Sequence, residues 1–428
     1  MSNFQTFERN GLNIHIMPIK KYVMTTIAIR IYINLDAEIV TGAAMLPYLM
    51  LQGSREYKDN KELQINLDRL FGATLKASVD KKGEYQILCL SMTLPNQENI
   101  DCEELILDKG IEIITDVLLN PRFDSMKVEE EKMRHARRIK SRSNDRITYS
   151  LERCLAKITK GNPYEISKLG ETKKIDRWGV RSLYDLHKEI IRNSPIHLYV
   201  IGDVDAKSIV HKFSISFERN CKYKDDLFSK RQITSASPIQ LIGETQIFEP
   251  LSLKQSLLNI AHGTGGVVFS SKDYPALVVC NRILGGFPHS KLFVNLRKKH
   301  GLAYYISSSL DALKGILYIQ CGVKPNTVNK SISIIQKQLE QIKEGVLTQE
   351  DVDATITAMC NMYKISMDSP GNLIDFHQNG VVAGNIRTMG EMVIAIQSIS
   401  VQDVIRVSQK IKVSTIHIVG PNVEVLND

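Results

Sequence analysis

No C-x-x-C pair occurs in this chain, although it carries seven cysteines, at positions 89, 102, 154, 221, 280, 321 and 360. An odd, scattered set excludes a zinc knuckle and argues against a disulfide framework, which leaves core thiols in a reducing compartment. No apolar run reaches the roughly 18 residues that a bilayer span requires. The opening MSNFQTFERNGLNIHIMPIKK has no basic segment followed by an apolar one, so no signal peptide is expected and the expected location is the cytoplasm. A large excess of one charge is missing too: 55 Lys and Arg against 47 Asp and Glu leave +8. The densest basic run, residues 132–146, sits at helical spacing beside Glu129, Glu130 and Glu131. That is the pattern of a solvated helix face, and no nucleic acid is expected as a partner. The stretch GTGG after His262 lacks the helix and lysine of a phosphate loop, so no nucleotide site is expected. His289 and His300 lie at no metal-ligand spacing with a cysteine or carboxylate. Trp178, the single tryptophan, reads as a packing residue.

What is present is a globular balance, 43% hydrophobic and 24% charged, over 428 residues. That length exceeds one ordinary core, so two or more domains are expected. Leu12, Ile14 and Ile16 alternate with other residues, residues 18–22 make a turn, and Ile27, Ile29, Ile31, Ile33 and Leu35 alternate again, an antiparallel strand signal. The chain then repeats itself. Residues 63–75 (LQINLDRLFGATL) align without gaps on residues 292–304 (LFVNLRKKHGLAY), an offset of 292 − 63 = 229. Each copy reads as a helix stopped by Gly, then a strand. Both continue into a β-rich run, 85–91 and 316–321, and an amphipathic helix, 103–119 and 327–342. Both halves close alike, at 195–202 and 415–420. A tandem duplication with α+β halves follows: 1–219, a polar linker 220–249 whose last ten residues could open a strand, and 250–428.

Residues 41–54 read TGAAMLPYLMLQGS. They resemble the zinc helix of the insulinase/pitrilysin superfamily of inverzincin peptidases, in which H-x-x-E-H supplies two imidazole ligands and a general base. With Gly53-Ser54 as anchor, the first His falls on Ala44, the Glu on Pro47 and the second His on Tyr48. Residues 131–139 (EKMRHARRI) resemble the family's E-R-x-V-x-x-x-E-I, whose second Glu, the third ligand, falls on Arg138. Ala44 has no donor atom, Pro47 accepts no proton, Tyr48 ionises only near a pKa of about 10, and Arg138 is a fixed cation. No metal, no cofactor and no zinc peptidase activity are therefore expected of this chain alone. A proline in a helix interior costs about 3 kcal/mol, so Pro47 is expected either to kink its helix or to lie in the first turn.

The resemblance covers essentially the whole chain and is with the processing-peptidase branch. It implies two LuxS/metallohydrolase-like halves, each an antiparallel sheet packed with helices. It also implies a chamber made from two such chains, where an unfolded peptide adds as a strand beside the partner's zinc. The family's L-R-E-K-x-G-L-A-Y falls on residues 296–304, which makes Arg297 and Tyr304 the substrate-binding pair: a guanidinium and a phenol that donate to peptide carbonyls. The repeat counterparts in the first half are Asp68 and Leu75. Upstream, LGGFPHSKLF (284–293) departs from the usual L-G-G-G-M-S-S-R-L-F and is expected to reshape the peptide-facing loop. The A-x-x-P-Y motif and NPYEISKLG (162–170) are similar to a bacterial YfmF-type subfamily associated with aminopentanol modification of elongation factor P. That subfamily implies a zinc-bearing sister subunit with intact H-x-x-E-H. A homodimeric or solitary peptide-binding scaffold is the alternative.

Overall fold

The computed structural model describes residues 3–9, 11–96, 105–220, 233–234, 237–241 and 243–421. The chain opens with strands β1 (Gln5–Arg9), β2 (Leu12–Pro18) and β3 (Met24–Asn34), followed by helices α1 (Val40–Met50) and α2 (Asn60–Arg69). The hairpin of β4 (Thr74–Lys82) and β5 (Tyr85–Pro95) leads into α3 (Ile106–Leu119) and α4 (Ser125–Ser141). Next come α5 (Arg146–Ile158), α6 (Val180–Asn193), β6 (Ile196–Gly202) and α7 (Ala206–Asn220). The second half has β7 (Thr245–Pro250), β8 (Ser256–Gly263), α8 (Tyr274–Gly285), a π-helix (Phe293–Lys299) and the hairpin β9 (Ala303–Asp311) and β10 (Ile316–Val323). It continues through α9 (Val328–Lys343), α10 (Gln349–Ser366), α11 (Pro370–Ala383), α12 (Met389–Gln397) and α13 (Val401–Ser408) to β11 (Lys412–Gly420).

Each half builds one sheet. The first has the order β1-β2-β6-β3-β5-β4 and the second β7-β11-β8-β10-β9. With β1 set aside, the two orders are the same, strand for strand, and each contains one parallel pair, β2 with β6 and β7 with β11. The duplication read from the sequence is thus a duplication of topology, and the fold is α+β with two homologous halves. The offset of 229 places Thr74, the first residue of β4, on Ala303, the first of β9.

One detail of the opening differs from the alternation signal. β2 and β3 do run antiparallel in space, but β6 lies between them, parallel to β2 and antiparallel to β3. The reason is in β6 itself. All seven of its residues are buried, and a strand apolar on both faces belongs in a sheet interior. Leu12, Ile14, Ile16, Ile27, Ile29 and Ile31 then share one face and join α1, α3 and α6 in the first core.

The chain forms two compact units, Met1–Ser141 with Ile166–Ile233, and Arg142–Glu165 with Thr234–Asp428. Helix α5 therefore belongs with the second sheet, although it lies inside residues 1–219. Cys154 on α5 packs with Ala261 and Ile316, Asn259 donates to the Ser150 hydroxyl at 3.1 Å, and Arg153 pairs with Glu249 at 2.7 Å. Half of the expected linker, residues 221–232, 235–236 and 242, lies outside the described residues, while its end is β7. The N-terminal residues 103–104 of the expected helix 103–119 also lie outside them; the helix begins at Ile106.

Candidate functional site

Ten of the eleven residues of α1 are buried, so this helix is central rather than amphipathic, and Tyr48 is the only one left partly open. The close packing has a visible cause. A Cβ on Gly42 would stand 2.5 Å from Trp178 Cε2, which means the indole rests directly on the helix backbone. Trp178 is the packing residue that the sequence suggests. Pro47 sits at the eighth position, with helix on both sides of it, so of the two expected outcomes, a kink or a place in the first turn, the first turn does not apply. The buried core around α1 holds the segment helical through the proline.

Helix α4 lies against α1 and brings its own buried polar side chains to Tyr48. The Arg138 guanidinium stacks 3.7 Å over the Tyr48 ring. Its Nη1 donates to Glu131 Oε1 at 2.8 Å and lies 3.2 Å from His135 Nδ1. Positions 131, 135 and 138 recur at helical spacing on one face of α4. His135 Nε2 is 2.9 Å from the Leu169 carbonyl, which can only accept, so Nε2 carries the proton and Nδ1 accepts from Arg138. Burial lowers the His135 pKa to about 4, which keeps the ring neutral. Burial pushes the Glu131 carboxyl up, and the adjoining Arg138 pulls it partly back. Burial also raises the Tyr48 phenol despite the cation on its face.

These contacts test whether a zinc ion suits the positions to which the motif points. It does not. Tyr48 and Arg138 meet, as a second and a third ligand would, but what meets is a neutral phenol ring and a guanidinium whose charge Glu131 already balances. Among the described residues, no group of three or more His, Cys, Asp or Glu side chains is placed to hold a metal. The sequence pointed to Tyr48 and Arg138; Glu131 and His135, which complete the cluster, lay within the same motif without an assigned role.

Arg297 and Tyr304 lie in the second unit, on either side of a turn at Gly301, whose φ of +60° suits glycine. Arg297 is in the seven-residue π-helix, a form concentrated at functional sites, and its guanidinium lies 5.1 Å from the Phe293 ring. Tyr304 is the second residue of β9 and is 56% exposed, a large value for a tyrosine. β9 is the edge strand of its sheet, paired on one side with β10. The counterpart Leu75 likewise occupies the second position of β4, the edge strand of the first sheet. The divergent loop is braced internally: Phe287 stacks on His289 at 5.2 Å and lies 5.7 Å from the Arg282 guanidinium. His262 is a buried β8 residue with a pKa lowered to about 4 by burial.

Comparison with known proteins agrees with this geometry. The model of the family described as "Peptidase M16 inactive domain" matches residues 178–359. "Probable inactive metalloprotease YmfF" of Bacillus subtilis is 28% identical over 416 residues, covering 95% of this chain and 95% of that protein. A conserved protein from Enterococcus faecalis superposes with a TM-score of 0.87 at 25% identity, over 100% of both chains. A structure from Pseudomonas fluorescens, described as a peptidase M16 inactive domain, superposes with a TM-score of 0.79 at 15% identity, over 98% of each chain. The fold and the altered motif together define a peptidase-like protein without the metal-binding chemistry. The chain is thus similar to M16 peptidases, and in particular to relatives that are described as inactive.

Proposed function

We propose that this chain is the non-catalytic subunit of a heterodimeric zinc metallopeptidase, acting in the cytoplasm beside a sister chain that keeps H-x-x-E-H. Its task is to bind unfolded peptide by strand addition at a sheet edge and to present Arg297 and Tyr304 to the peptide at the partner's zinc. The observation that carries this reading is the contrast between two sites. The motif positions in the first half are closed by the Arg138–Tyr48–Glu131 cluster. In the second half an exposed arginine and tyrosine stand beside a free strand edge. The family resemblance adds a link to elongation factor P modification. The exposed edge alone also suits a solitary or homodimeric peptide-binding scaffold, the second reading.

The test is to mix the chain with a zinc-bearing sister. The expected outcome is one heterodimer with chelator-sensitive peptide hydrolysis that neither chain shows alone. In that complex, Arg297→Ala and Tyr304→Phe should each lower turnover on the order of 10²-fold with the dimer intact, because donors to a developing oxyanion are lost. Asp68→Ala and Leu75→Ala should spare activity. Turnover within about twofold of wild type for both site variants would make the pair structural. A chain that yields no active mixture would leave the scaffold reading.

A further inference from the structure

Away from both of these places, three helices of the first unit turn polar faces toward a common cleft of about 670 Å³. Helix α2 contributes Glu62, Asn66 and Arg69, at i, i+4 and i+7, and α7 contributes Lys212, Ser216 and Arg219 with the same spacing. Helix α3 adds Asp108, Glu112 and Asp116. Helix faces that meet one another usually bury apolar side chains, so a meeting of charged faces around open volume needs its own account.

The lining carries five basic and five acidic side chains, so what distinguishes the cleft is which of them are paired. Every acid on these three faces is already engaged. Asp108 pairs with Lys212, Glu112 with Lys109 at 3.3 Å, and Glu62 accepts from the Lys58 amide at 2.9 Å. Asp116, which is buried, accepts from the Glu56 amide at 3.1 Å and from Asn120 at 3.1 Å, with Arg55 at 3.7 Å. Arg69 and Arg219, by contrast, have no carboxylate partner among the described residues. A second observation is independent of charge. Ser216 is 6% exposed and lines the cleft, and its hydroxyl has no hydrogen-bond partner. A buried hydroxyl left without a partner is costly, so a ligand that supplies one is favoured.

We infer that this cleft is a binding site for a small organic anion, with the oxyanion held by Arg69, Arg219 and the Ser216 hydroxyl. Bidentate guanidinium contacts to a phosphate or a carboxylate fit this donor set, and the volume fits a metabolite rather than a bare inorganic ion. Phosphate ester and polycarboxylate share the required chemistry. The site lies apart from Arg297 and Tyr304 and stands whether or not the peptidase reading does.

Calorimetric titration of the full chain at low ionic strength, with glucose 6-phosphate, citrate and inorganic phosphate as separate probes, tests the inference. The expected result is saturable binding of one equivalent of at least one organic anion, with inorganic phosphate weaker. Preference for glucose 6-phosphate assigns the ligand as a phosphate ester, and preference for citrate as a polycarboxylate. Arg69→Ala and Arg219→Ala should each weaken binding about 10-fold or more, and Ser216→Ala about 3- to 10-fold, with unchanged circular dichroism. Absence of saturable binding to all three probes would overturn the inference, as would affinity unmoved by either arginine substitution.

Discussion

Arg138 shows how one substitution can close a site. A ligand carboxylate replaced by a cation leaves a charge that must be balanced, and Glu131, buried at 2% side-chain exposure, balances it at 2.8 Å. Tyr48 then supplies a π face for the same guanidinium. The pair is asymmetric, since the Arg138 side chain keeps 28% exposure while Glu131 has almost none. Removing the arginine therefore strands a buried carboxylate. Arg138→Ala should cost on the order of 2–3 kcal/mol at pH 7, somewhat below the roughly 3–5 kcal/mol for wholly buried pairs. The pH dependence has a definite sign. Burial already holds the Glu131 pKa above its unfolded value. Without Arg138 it rises further, so the native state binds a proton more readily than the unfolded one, and lowering the pH restores stability. Urea unfolding of wild type and variant at pH 7 and pH 5 should show the gap narrowing at pH 5. A gap that is constant or widens would mean that Glu131 is not the stranded group.

At the scale of elements, α1 is held by a side chain that enters where glycine leaves room. A methyl group at Gly42 would meet the Trp178 indole at 2.5 to 2.7 Å. Gly42→Ala gains helix propensity of about 1 kcal/mol but overpacks the core by roughly 1–3 kcal/mol, so a net loss is expected in the denaturant midpoint. Trp178→Phe loses no hydrogen bond, because the indole Nε1 has no partner. Combined with Gly42→Ala it should cost less than the sum of the two singles, and simple additivity would remove the contact from the account. Much of this architecture was legible in the sequence. The 229-residue offset, the helix-Gly-strand pattern and the two closing strands locate corresponding elements, because local periodicity reports which face is apolar. The insertion of β6 between β2 and β3 was not legible, since strand order is decided by long-range competition for the sheet interior. Nor was the membership of α5 in the second unit, which rests on contacts such as Ser150 to Asn259, 109 residues apart. The proline left two outcomes open, a kink or the first turn, and burial of ten residues keeps it in the helix interior. At the motif positions the sequence showed that zinc ligands were gone. It did not show the stacked, neutralised cluster that stands there, since stacking depends on how α1 and α4 meet.

For the whole molecule, both units carry the same liability, buried neutral histidines. His135 and His187 in the first unit, and His262 and His377 in the second, all have pKa values lowered to about 4, in each case first by burial. His187 shows the balance: its enclosure in the core lowers the pKa, and the hydrogen bond from Nε2 to the Leu118 carbonyl at 2.8 Å offsets only part of that. The unfolded chain returns each imidazole to about 6.5. Above that pH both states are neutral and the full stability is present. As the pH falls from about 6.5 to about 4 the unfolded state takes up protons that the native state refuses, so stability is lost through this window and levels off below it. Each ring contributes up to about 3 kcal/mol of that loss, and four together rival the 5–15 kcal/mol typical of a folded domain. Acidic side chains held low act in a different range. Asp403, lowered to about 2 by Ser400 and Arg406, loses its contribution only from about pH 4 downward. Urea unfolding followed by circular dichroism at pH 7, 6 and 5 should therefore show midpoints falling steadily, well before carboxylates titrate. His187→Gln, which keeps a donor for the Leu118 carbonyl and removes the ionisable ring, should lessen the slope by close to one proton. Midpoints that stay level between pH 7 and pH 5 would mean that these imidazoles accept protons within the fold, and the cores around them would have to open more easily than their packing allows.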